Sequence, residues 1–123
     1  MSVEERVNGE GSKYTSPVNE EGVKGYMMAD VSIGSPNSYK VRTLIDSGAM
    51  PSIISEEIVP LGSIIAASTV TLTGVSNAKI RVTGETTLII ELGGKLFRQK
   101  LIVVPEGAMA FPQQSRMILG NNF

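Results

Sequence analysis

From Tyr26 onward the chain is a succession of short apolar runs, each cut by glycine, proline or asparagine. That punctuation leaves room for strands and almost none for helices. Residues 26–33 read as a strand and Gly34-Ser35-Pro36-Asn37 as a turn, with a second strand over residues 39–45. Ser52-Ile53-Ile54 continues as a short buried strand. Residues 69–75 and 79–83 pair as a hairpin with Ser76-Asn77-Ala78 at its tip, where asparagine tolerates a left-handed backbone. Residues 86–92 and 95–104 form another hairpin around Gly93-Gly94. A loop with Pro105, Gly107 and Pro112 leads to a last strand over residues 116–119. The single helical signal is residues 55–59, with Ser55 as N-cap and Glu56 and Glu57 in the first turn, stopped by Pro60 and Gly62. Many short strands and one helical turn predict an all-β domain, a small closed barrel or a sandwich.

The chain has 123 residues, enough for one domain. Residues 1–22 are polar, carry Glu4, Glu5, Glu10, Glu20 and Glu21, and show no apolar period. They are expected to be a flexible tail or linker, with the folded domain spanning residues 23–123. Histidine, cysteine and tryptophan are absent. Ser-His and Cys-His nucleophile pairs are therefore excluded, as are zinc sites built on thiolate or imidazole, and no cofactor is expected. The formal net charge of −1 calls for neither nucleic acid nor a membrane surface as partner. Lys79 and Arg81 read as a solvated face rather than an RNA patch. With no apolar leader after the N-terminus, a soluble chain or excised domain, cytoplasmic in location, is expected.

Chemistry concentrates at Asp46. Val41 and Leu44-Ile45 read as a buried strand, and Asp46-Ser47-Gly48 as the turn that ends it. A carboxylate so placed sits at the edge of a core, partly desolvated, which tunes it for acid–base work. The same triplet is also what an ordinary Asx turn uses. Ten glutamates contrast with two aspartates, Asp30 and Asp46. Asp30 precedes Val31-Ser32 rather than a Ser-Gly turn and reads as a surface residue of a strand.

Ile45-Asp46-Ser47-Gly48-Ala49 followed by Ser52-Ile53-Ile54 resembles the active-site loop of retropepsin-type aspartic proteases. Ile118-Leu119-Gly120 resembles their second signature, and the hairpin around Val75, Ser76, Asn77 and Ala78 stands where they carry a flap. The likeness covers residues 23–123 and is greatest to the proteases of gypsy-type LTR retrotransposons. It implies an acid-protease closed barrel with a flap hairpin and one short helix. It also implies a catalytic Asp46, loop support from Ser47, Gly48 and Ala49, and substrate contacts from Val75 to Ala78. Aspartic proteolysis needs two facing carboxylates, and one Asp-Ser-Gly per chain then calls for a homodimer with Asp46 from each copy. The implied activity is an endopeptidase that cleaves polyprotein junctions, in the cytoplasm or within virus-like particles. The alternative is a non-catalytic dimerisation or peptide-binding domain on the same fold. Met50 stands where retroviral members commonly have an acid, and Asn121 where they commonly have arginine; those two form an ion pair in such enzymes. Family domains continue past the signature with a helix and a strand, which residues up to Phe123 are expected to lack.

Overall fold

The computed structural model describes residues 26–34, 38–46, 48, 51–74 and 77–120. The acidic segment 1–22 and the turn residues 35–37 lie outside them. Among the described residues the strands are β1 (Tyr26–Ile33), β2 (Tyr39–Asp46), β3 (Ile53–Ser55), β4 (Leu72–Thr73), β5 (Lys79–Ile80), β6 (Gly84–Leu92), β7 (Lys95–Val104) and β8 (Met117–Leu119). Six of them close a barrel in the order β1-β2-β8-β3-β7-β6, and β4 and β5 form a separate two-stranded sheet. Of the two all-β forms the sequence allows, the chain adopts the barrel.

Local chemistry accounts for the hairpins. β6 and β7 are antiparallel with Leu92 opposite Lys95, so Gly93 and Gly94 form the whole turn. Both have positive φ, 62° and 81°, which a two-residue turn matched to strand twist requires and side chains disfavour. β1 and β2 pair from Tyr26 opposite Asp46 to Ile33 opposite Tyr39.

The remaining barrel contacts are long-range. β8 runs parallel to β2, with Leu44 opposite Ile118 and Ile45 opposite Leu119. β3 runs parallel to β7, with Ile53 opposite Ile102, and antiparallel to β8. Strands in such positions bury both faces and read as unbroken apolar runs. Accordingly Ile54, Leu101, Val103, Met117 and Leu119 pack with Val31, Ile33 and Ile90. Their sequence neighbours Ile53, Ile102, Val104 and Ile118 pack with Leu44 and Leu72 on the other side, where Val70, Ile80 and Phe111 complete the cover. Each fully buried aliphatic side chain contributes about 1.5–3 kcal/mol.

Three expectations need correction. The helical turn is real but is a 3₁₀ turn over Glu56–Ile58, and Ser55 caps it by position only. The Ser55 hydroxyl donates to the Glu57 carboxylate instead of accepting a backbone N–H. A second 3₁₀ turn, Pro112–Gln114, occurs where one helical element was expected overall; Gln113 and Gln114 both have positive φ there. The flap-like hairpin is much shorter than its alternating sequence, with four paired residues among those described. Its strands have no barrel strand beside them to extend the ladder. No helix among the described residues is long and apolar enough to cross a membrane.

Candidate active site

β2 delivers Asp46 to the rim of the barrel. The strand is anchored by Leu44, fully buried, and Asp46 itself keeps only 9% of its surface exposed. The backbone then turns back on the carboxylate: the Gly48 N–H donates to Asp46 Oδ1 at 2.9 Å. This is an Asx turn, so the bland reading of the triplet and the catalytic one describe the same geometry. Position 48 leaves little room for a side chain. A Cβ there would lie 3.3 Å from Asp46 Oδ1.

Burial pushes the Asp46 carboxyl up from the ordinary aspartate value, and the hydrogen bond from Gly48 opposes that shift without cancelling it. The folded protein therefore holds this proton more tightly than the unfolded chain. Stability linked to it is full below the unfolded value, about 4, and is lost as pH rises through the raised folded value. We expect Asp46→Asn to remove this loss. In protein dilute enough to keep copies apart, the variant's thermal midpoint should exceed that of the wild type at neutral pH, with the gap closing towards pH 4. Calorimetry across that range checks it; an equal gap at every pH contradicts it.

The second signature lies against the first. The parallel register of β2 and β8 pairs Thr43, Leu44 and Ile45 with Met117, Ile118 and Leu119. Asp46 and Gly120 are the next residues of the two chains, one step beyond the paired Ile45 and Leu119. Ile118, Leu119 and Gly120 are all buried. The Gly120 N–H donates to Ser52 Oγ at 2.9 Å, and Ser52 is fully buried. Ser52 thus ties the chain leaving the Asp46 loop to the chain leaving β8. Sequence reasoning gave Ser52 a strand position and a place in the stretch resembling the active-site loop, but no hydrogen-bond partner. The available signal was a hydroxyl at the head of an apolar run, where burial demands a hydrogen-bond partner.

Asn77 and Ala78 are exposed at the tip of the β4–β5 hairpin. Asn77 has φ 63°, as its residue type allows, and its N–H donates to the Gly74 carbonyl. The tip is closed by the Gly74 N–H on the Ala78 carbonyl at 2.9 Å. The hairpin belongs to a different sheet from Asp46, which lies on a barrel strand. Ser47, Ala49, Val75 and Ser76 lie outside the described residues, as do Met50 and Asn121. Asp30 is exposed on β1 between inward-facing neighbours and stands opposite Arg42 on β2. Its side chain is exposed, away from the core.

Residues 23–123 match the family model for the retroviral aspartyl protease. The chain belongs to that family. No curated protein and no solved structure matches it. Membership in the retroviral aspartyl protease family fits an all-β barrel in which an Asp-Ser-Gly turn and an Ile-Leu-Gly strand end are neighbours.

Proposed function

We propose that this retroviral aspartyl protease domain is an endopeptidase active as a homodimer, in which Asp46 of each copy shares one catalytic site. The observation that carries this reading is the half-assembled machinery of one chain: a desolvated Asp46 held by Gly48, with Asp30 facing outward on another strand. Two such carboxylates brought together cannot both ionise, so one keeps its proton while the other acts as base. The base takes a proton from a water molecule as its oxygen attacks the scissile carbonyl. The acid gives its proton to the carbonyl oxygen, and collapse of the tetrahedral species releases the amine after a proton returns to nitrogen. No covalent enzyme intermediate is required.

The substrate lies as an extended strand beneath the β4–β5 hairpin, with residues 75–78 excluding water and donating backbone hydrogen bonds. Ser47 bridges the two copies of the loop, and Gly48 lets the substrate backbone approach. The substrates proposed are polyprotein junctions, flanked by apolar residues.

The test is turnover against dilution. Cleavage of an apolar-flanked peptide at mildly acidic pH should fall faster than enzyme concentration once copies separate, because each monomer carries half a site. Strict proportionality throughout the range where ultracentrifugation shows dissociation would sink the shared site. Peptide binding without turnover at any concentration would replace the endopeptidase with a peptide-binding domain.

A further inference from the structure

Gln99 is a polar side chain on a barrel strand with 4% of its surface exposed. It stands opposite Leu88 on β6 and is followed by the buried Leu101 to Val104 run of β7. A buried amide in such surroundings is unfavourable unless its hydrogen bonds are made. Both hydrogens of its Nε2 are used. One goes to the Lys100 carbonyl at 2.9 Å, which fixes the amide against its own strand. The other goes to Ser52 Oγ at 3.4 Å.

Ser52 Oγ is therefore an acceptor twice over, from Gln99 and from the Gly120 N–H. A hydroxyl has two acceptor positions and one proton. Its own O–H then points away from both donors. Backbone bonding supports the same junction, since the Ile102 N–H donates to the Ser52 carbonyl at 2.9 Å. A chain of buried polar groups thus runs from β7 through Ser52 to Gly120, the residue that follows β8.

We propose that Gln99 is a positioning residue for proteolysis, acting through Ser52 and the Gly120 N–H to fix the end of β8, the strand paired with the one that carries Asp46. This rests on the reading of Asp46 as half of an acid–base pair. Gln99 touches neither substrate nor carboxylate. Its effect is on spacing: if the end of β8 loosens, the two carboxylates of the dimer separate and their mutual influence weakens.

That effect has a signature that lost stability does not produce. Two coupled carboxylates titrate in two macroscopic steps, and their separation reports how strongly they interact. Gln99→Leu removes both donors while keeping an apolar side chain of similar length beside Leu88. The expected result is a fall in kcat of about ten- to a hundredfold with KM within about twofold. The acidic and basic limbs of the pH–rate profile should also draw together. Ser52→Ala should give the same change, Ser52→Thr should restore much of it, and the Gln99→Leu and Ser52→Ala effects should not add. Amide hydrogen exchange at Gly120, followed in the same variants, reads the junction without any turnover; faster exchange in Gln99→Leu is expected.

An unchanged pH profile together with unchanged Gly120 exchange in a folded Gln99→Leu protein overturns the proposal. A fall in kcat with the profile's shape intact also overturns it, since that is what a smaller folded fraction would give. If the wild type cleaves nothing, the endopeptidase reading fails by itself. Gly120 exchange then decides alone whether Gln99 holds this junction.

Discussion

Asp46→Asn should lower peptide cleavage by roughly 10⁴-fold or more while leaving the barrel intact. Asparagine keeps the shape of the side chain, and its carbonyl oxygen can still accept the Gly48 N–H that now reaches Asp46 Oδ1 at 2.9 Å. What it loses is the proton. An amide can neither take a proton from water nor give one to a carbonyl oxygen at these pH values, and in a homodimer both halves of the site lose that ability together. The same substitution removes a buried carboxyl that burial pushes up from its ordinary value. The variant should accordingly be inert yet more stable than the wild type at neutral pH. Turnover assays with equal concentrations of the two proteins, paired with thermal melts, check both halves of this expectation. Comparable turnover in the two would remove Asp46 from the mechanism.

Gly84→Ala should destabilise the barrel by about 3 kcal/mol, more than any surface change. Gly84 is buried at the start of β6, opposite Val103 on β7. A Cβ built there falls 2.3 Å from the Ala66 carbonyl oxygen and 2.8 Å from Ile65 Cγ2. The first of these is backbone and cannot swing aside. Relief requires the segment around Ala66 to lift from β6. That segment is held by reciprocal bonds between Ala66 and Glu85, both 2.9 Å, and by the Thr86 hydroxyl donating to the Ile64 carbonyl at 2.8 Å. Losing two or three such bonds and straining the strand sets the magnitude. For a domain of this size the thermal midpoint should drop by roughly 10–20 °C. A midpoint within a degree or two of wild type would show that the segment yields freely.

The local parts of this fold were legible because their signals are local. β1 runs over the residues its alternation marks, and the Gly93-Gly94 turn follows from two glycines between two apolar strands. Asp46 was legible for the same reason: an acid directly after Leu44-Ile45 stands at a strand end, and β2 extends to include it. The extent of the flap-like hairpin was not. Residues 69–75 alternate as a strand would, yet among the described ones only Leu72 and Thr73 pair, because a period of two records which face is buried and not whether a neighbour exists to bond. The parallel partners of β2 and β3 were likewise out of reach, since nothing near Leu44 or Ile53 names Ile118 or Ile102. Gln99 illustrates a signal that was present and unused. In a strand it shares a face with Leu101, so a polar residue on the inward side of an apolar barrel already calls for a partner.

The parallel pairing of β2 with β8 also fixes when the site can exist. A chain emerging from the ribosome exposes Asp46 long before Met117 to Leu119 are made, and until then β2 has an open edge on the side β8 will occupy. Contacts between such distant segments form late and slowly. If the substrates are the polyprotein junctions proposed above, this topology is a clock: cutting waits until β8 has been made.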